Sequence, residues 1–170
     1  MKKRHFLKTS AAFVGTLTLS GCLPSQANEQ TGQTASVSSE GSFEITKTEA
    51  EWREILSPEA YAVLREEATE RPRSSPLDKT YTAGTYSCAG CALPLFSSET
   101  KFDSGTGWPS FYAPLENAVA TAIDRSLLMT RTEVHCRRCG GHLGHVFNDG
   151  PQPTGKRYCM NGIAMTFTPA

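Results

Sequence analysis

The sequence predicts a mainly β domain with a short helical part on its N-terminal side. Between residues 80 and 167 the chain breaks into short runs of β-branched and aromatic residues separated by Gly, Pro and Asn, the pattern of antiparallel strands. One amphipathic stretch, SPEAYAVLREEATE (57–70), precedes these runs. Two Cys-x-x-Cys pairs, CAGC (88–91) and CRRC (136–139), sit inside the β-rich part with 44 residues between them. No internal repeat is visible, and 170 residues suit one domain with appendages better than two fused enzymes.

The N-terminal segment is read separately. Residues 1–21 place Lys2, Lys3, Arg4 and Lys8 before a short apolar stretch from Ala11 to Leu19, the layout of a secretory signal rather than a spanning helix. KRHFLK (3–8) resembles a twin-arginine export signal with lysine in the first place, so the export route stays open. LSGC (19–22) is similar to the lipobox of bacterial lipoproteins. Cys22 is therefore expected to become a lipid anchor, durable because it carries more than one acyl chain. The expected location is the periplasmic side of a bacterial cell envelope, as an exported, membrane-anchored lipoprotein.

Cleavage would remove four of the 17 basic residues and none of the 17 acidic ones, leaving 13 against 17 and a net charge of −4. That balance excludes nucleic acid as an expected partner. Residues 22–45 form the linker: LPSQANEQTGQTASVSSEGS has almost no large apolar side chain to offset the entropy of ordering. Folded sequence starts near Phe43, and the domain is assigned to 46–170, expected as a monomer.

Within the domain, Ser57 reads as a helix N-cap, Pro58 as a first-turn residue, and Ala60, Tyr61, Val63, Leu64 and Ala68 as an apolar stripe. RPRSSPLDKT (71–80) ends the helix, because its two prolines break helical hydrogen bonding. Strand runs follow at 80–88, 118–124, 126–136, 145–149 and 156–167, with NDGPQPTG (148–155) as a loop.

Cys88, Cys91, Cys136 and Cys139 have the spacing of a tetrahedral four-thiolate zinc site, each short turn supplying two ligands. Disulfides, which an exported location favours, and a redox pair of thioredoxin type are the competing readings. A four-cysteine zinc centre leaves no ligand position for a catalytic water and is structural.

Cys159 then remains as the one thiol without an assigned task. A buried lone cysteine is often only a small apolar side chain. Here Lys156 and Arg157 stand close by, and strand alternation puts Arg157 on the face of Cys159, where a cation favours the reactive thiolate. His142 and His145, half of the chain's four histidines, lie three apart in GGHLGHVFND and suit acid–base work once the metal has its own ligands. In DSGTGWPSF, glycines bend the backbone around Trp108, a core plug or a recognition wall.

Taken together, CAGC, SGTGWPSF, HCRRCGGHLGHVF and DGPQPTGKRYCMN closely resemble the B-type peptide-methionine sulfoxide reductases, from about Trp52 to Phe167 and in the family's order. The resemblance implies two antiparallel sheets in a β-tent with short N-terminal helices, and reduction of the R epimer of methionine sulfoxide. It implies Cys159 as nucleophile, with His142, His145 and Asn161 ordering water or donating a proton, and Arg157 setting local charge. Trp108 and Phe147 would wall the methyl pocket, and Cys88, Cys91, Cys136 and Cys139 would hold zinc. Expected partners are oxidised proteins or peptides carrying methionine-R-sulfoxide and a thioredoxin-like or other thiol reductant.

The chain departs from many such relatives at two positions. Thr106 stands where those carry a resolving cysteine, and Gly162 replaces a common serine, so that Asn161-Gly162 also reads as a hairpin turn. With no second thiol in the domain, the Cys159 sulfenic acid is expected to meet an external donor. The competing functions are a zinc-stabilised binding module without chemistry and a thiol-disulfide oxidoreductase using CRRC directly.

Overall fold

The computed structural model describes residues 43–170; the signal, the lipobox with Cys22 and nearly all of the linker lie outside the described residues. Phe43 already packs edge-on to His135, with ring centroids 5.8 Å apart, and the Ile45 N–H donates to the Arg138 carbonyl at 3.0 Å.

Two helices open the domain. In α1 (Glu49–Ile55) the Thr48 hydroxyl accepts the Glu51 N–H, while the Glu51 carboxylate accepts the Thr48 N–H at 2.7 Å, a reciprocal cap that fixes the first turn. In α2 (Pro58–Glu66) Ser57 caps through the Ala60 N–H at 3.1 Å and Pro58 occupies the first turn, as the sequence predicts. The helix ends before the run suggests: Glu67 turns left-handed at φ 57°, and residues 67–70 leave as irregular backbone. Trp52, Ala60, Tyr61, Val63 and Leu64 bury the inner faces of both helices.

The strands are β1 (Gly84–Cys88), β2 (Pro94–Ser97), β3 (Lys101–Phe102), β4 (Ser110–Phe111), β5 (Val119–Asp124), β6 (Arg131–Cys136), β7 (His142–Phe147), β8 (Arg157–Met160) and β9 (Met165–Pro169). They form two antiparallel sheets, β2-β1-β9 and β3-β4-β8-β7-β6-β5, so the mainly β, two-sheet expectation holds.

The run KRYCMNGIAMTF is not one strand. A 3₁₀ turn at Gly162–Ala164 divides it and carries the chain from the six-stranded sheet to the three-stranded one. Asn161 is buried at the start of that turn, which rules out the hairpin reading of Asn161-Gly162. SLLMTRTEVHC likewise becomes extended only at Arg131, after a 3₁₀ turn at Ser126–Leu128. β2, β3 and β4 were not expected; the last two contain two residues each and exist as pairing partners on the β8 side.

The core between the layers is aromatic. Phe96 stacks on Phe111 at 4.4 Å, Tyr86 meets Phe111 edge-on at 4.9 Å, and all three are fully buried. Leu95, Val134, Leu143, Met160 and Ala164 complete it.

Gly144 controls how closely β7 approaches β8. A Cβ there would lie 2.2 Å from the Cys159 carbonyl oxygen and 3.0 Å from the Met160 Cα, both backbone atoms that cannot step aside. Gly144→Ala is therefore expected to destabilise the domain by about 2–3 kcal/mol, the cost of overpacking. Chemical denaturation of both proteins measures it, and an unchanged midpoint would contradict the claim.

Candidate active site

Antiparallel register decides which side chains meet. β8 lies against β7 with Cys159 opposite His145 and Arg157 opposite Phe147, so alternation sends these four to one face. Met160, on the other face, is completely buried. On its second edge β8 pairs with β4, where Ser110 stands opposite Cys159.

Cys159 opens into a cleft of about 140 Å³ lined by Thr69, Trp108, Arg131, Gly144, His145, Phe147, Cys159 and Asn161. The Thr106 hydroxyl lies 3.8 Å from the Cys159 sulfur. It continues a chain of hydroxyls through Ser104, 2.8 Å away, to Ser110 at 2.7 Å. Arg157 sits beside the thiol and is fixed by a two-point contact with Asp149, both bonds 2.9 Å, while its guanidinium covers the Phe147 ring at 4.3 Å. Asp149, first of all, keeps that guanidinium even more firmly charged than usual. Lys156 instead reaches Asn148.

The irregular segment after α2 closes the cleft through Glu70. Its carbonyl accepts the Trp108 indole N–H at 3.2 Å, and its own N–H donates to Asn161 Oδ1 at 3.0 Å. Its carboxylate accepts the Gly162 and Ile163 N–H groups at 2.7 and 2.9 Å. Burial raises the Glu70 carboxyl above its ordinary value, against the pull of those two donors. Gly162 is needed beneath this clamp, because a Cβ would fall 2.1 Å from the Ser75 hydroxyl.

Each histidine of the pair is held by its own carboxylate. His145 Nε2 is 2.8 Å from Asp124, which also pairs with Arg131; His142 Nδ1 is 2.8 Å from Glu133. Asp124 lies far below the carboxylate range, first because the Ser126 backbone N–H donates to it, then through the Ser126 hydroxyl and His145. Glu133 is lowered to about 2, by His135 first and His142 second. Both carboxylates are thus acceptors, and the facing ring nitrogens donate. His142 is nearly enclosed, does not line the cleft, and leaves Nε2 buried without a partner, 5.4 Å between its ring centre and that of His145.

Apart from this site, Cys88, Cys91, Cys136 and Cys139 form a compact cluster, their four sulfurs all within 4.8 Å of one another. Two of the pairs, Cys88–Cys139 at 3.7 Å and Cys91–Cys136 at 3.5 Å, each join one knuckle to the other. These separations exceed a disulfide bond of about 2.05 Å. They match the edge of about 3.8 Å for a tetrahedron of sulfurs around an ion with bonds of about 2.3 Å. The donor set fits a thiophilic metal ion.

Residues 56–169 match the SelR domain family. The chain is 53% identical over 126 residues to the peptide methionine sulfoxide reductase MsrB of Agrobacterium fabrum, covering 74% of this chain and 93% of that protein. It is 56% identical over 126 residues to the protein of that name from Pseudomonas syringae pv. syringae, covering 74% and 96%. With the one from Methanosarcina barkeri it shares 54% over 124 residues, covering 72% and 87%. The chain belongs to the MsrB family.

Of the residues that the MsrB resemblance implies for the site, the structure gathers Trp108, His145, Phe147, Cys159 and Asn161 around one cleft, with Arg157 on the same face. His142 lies behind His145. Glu70, Arg131, Asp124 and Glu133 were missed. Asp124 and Glu133 gave a partial signal, as acidic residues on strands preceding the histidines; Glu70 gave none, because its partners are distant in sequence.

Burial outweighs Asp124 in holding the His145 imidazole below the ordinary histidine value of 6.5, so the ring is neutral at pH 7. The unfolded chain therefore binds this proton more readily than the folded one. The stabilisation is complete above pH 6.5 and fades as pH falls toward the lower folded value. His145→Gln is expected to flatten the fall in melting temperature between about pH 7 and pH 5, the range in which histidine titrates. Identical slopes for wild type and variant would refute this.

Proposed function

We propose that the chain reduces the R epimer of methionine sulfoxide in polypeptides, with Cys159 as nucleophile. The observation that carries the reading is a thiol outside the four-cysteine cluster that faces a small cleft together with Trp108, Phe147 and His145. Names carried by relatives at 53–56% identity support the reaction class.

The Cys159 thiolate attacks the sulfoxide sulfur while the departing oxygen is protonated. His145 and Asn161, with His142 behind them, order the water that supplies the proton, and Arg157 offsets charge at the thiol. The S–O bond breaks and the oxygen leaves as water; a water molecule then attacks the Cys159 sulfur, the new S–S bond breaks with its electron pair going to the thioether, a proton is released, and Cys159 is left as a sulfenic acid. Trp108 and Phe147 give the methyl group an apolar wall, and the polar edge of His145 and Asn161 faces the oxygen, which sorts the epimers.

Thr106 offers a hydroxyl and no thiol 3.8 Å from the Cys159 sulfur, so regeneration uses an external thiol donor such as a thioredoxin-like protein. One donor thiol displaces the hydroxide as water to form a mixed disulfide. A second releases the Cys159 thiol and leaves with the donor disulfide. The decisive assay presents each sulfoxide epimer of one peptide separately, with dithiothreitol. Turnover of the R epimer alone, abolished in Cys159→Ala, is expected; equal rates on both epimers, or activity in the variant, would sink the proposal.

Zinc is proposed for the four-cysteine cluster, where Cys88, Cys91, Cys136 and Cys139 would hold it and it would act as a cross-link between the knuckles. Elemental analysis is expected to find one zinc per chain, and its removal by a strong chelator to lower the melting temperature; a metal-free protein of unchanged stability would refute it.

Action from a membrane tether is proposed as well, on the lipobox resemblance at Cys22 and the polar linker after it. Wild type expressed in an enteric bacterium should partition into detergent and Cys22→Ser into the aqueous phase. Equal partition would remove the anchor.

A further inference from the structure

Beside the cleft lies a second, larger depression of about 710 Å³. Its walls are mostly apolar: Val63 and Ala68 from α2 and its exit, Leu77 from the 3₁₀ turn at Pro76–Lys79, Ile163, and Met165 with Phe167 from β9. Ile163 is 37% exposed, while Val63 and Met165 are buried, so the groove has a firm floor and an open edge. Thr69 lines both cleft and groove. The next point of contact is Asn161-Gly162, of which Asn161 lines the cleft and Gly162 the groove.

We propose that this groove seats apolar side chains flanking the oxidised methionine in a polypeptide substrate, an inference that rests on the reductase reading above. The cleft at Cys159 has room for one side chain, so the remainder of a polypeptide has to lie across the surface around it. The groove adjoins the cleft, with Thr69 lining both, is five times its volume, and is mainly apolar, Glu59, Glu70 and Arg71 being the charged residues of its lining. Open apolar concavities of this kind bind complementary apolar groups. The Glu70 clamp serves both cavities, since one residue fixes Trp108 and Asn161 on the cleft side and Gly162 and Ile163 on the groove side. The occupant is therefore the neighbouring part of the chain whose methionine is under repair, preferentially Leu, Ile, Val or Phe.

The test compares three R-sulfoxide substrates: N-acetyl-methionine sulfoxide amide, a heptapeptide with leucines flanking the sulfoxide, and the same peptide with glycines. For wild type, kcat/KM should be about tenfold higher for the leucine peptide than for the glycine peptide, through KM, as expected for burying one such side chain. Ala62→Arg projects a long side chain into the groove from α2 and keeps a good helix former. It should bring the two peptides level and leave the capped residue untouched. Equal wild-type rates for the two peptides, or a leucine preference that survives Ala62→Arg, would overturn the groove. Failure of wild type on all three substrates would overturn the reductase reading itself. Should the variant also lose the capped residue, sulfoxide-free versions of the peptides serve as inhibitors of wild type. An inhibition constant about tenfold lower for leucine then supports the groove, and equal constants reject it.

Discussion

Everything at the cleft depends on the register in which β8 lies against β7. With Cys159 opposite His145, alternation sends Arg157 and Phe147 to the same face and commits Met160 to the core. A slip of one residue would bury the thiol and expose the methionine, so burial of Met160 and Tyr158 against the core enforces the functional register. Gly144 lets the two backbones approach closely enough for that pairing. The nucleophile is thus positioned by sheet geometry, and the groups around it come from separate elements that the sheet brings in.

Those groups are held rather than merely nearby. Asp124 and Glu133 each fix one imidazole, Asp149 fixes Arg157, and Glu70 fixes Trp108 together with Asn161. Holding such groups before substrate arrives avoids reorganisation at the moment of reaction. The same economy explains where the fold is stitched. The four-cysteine cluster joins the end of β1, in one sheet, to the end of β6, in the other, and does not include the thiol that faces the cleft. Five cysteines in the described domain therefore divide into four that assemble structure and one that meets the cleft.

Much of this was legible in the sequence because it was written locally. The Cys-x-x-Cys spacings, the Ser57-Pro58 helix start and the alternation that separates Arg157 from Lys156 each depend on residues a few positions apart. The Thr48–Glu51 cap was equally local, yet a helix before α2 was expected only through the family resemblance, because so short a helix carries little apolar pattern. The division of KRYCMNGIAMTF between two sheets was not readable, since its cause is the Glu70 carboxylate binding the Gly162 and Ile163 N–H groups across 92 and 93 residues. β3 and β4 escaped for the same reason, each being a two-residue strand set by its tertiary pairing, β4 with β8 and β3 with β4. Glu70, Asp124 and Glu133 act through tertiary contacts that no spacing announces.

The reaction depends on the Cys159 sulfur taking up the oxidation that the sulfoxide gives up. The most direct measurement is a single turnover with one equivalent of R-sulfoxide peptide in the absence of any thiol but in the presence of a sulfenic-acid trap, followed by peptide mapping by mass spectrometry. One adduct on the Cys159 peptide for each methionine formed is the predicted result. Methionine formed while Cys159 stays unmodified, or an adduct on one of the four cluster cysteines instead, would contradict it.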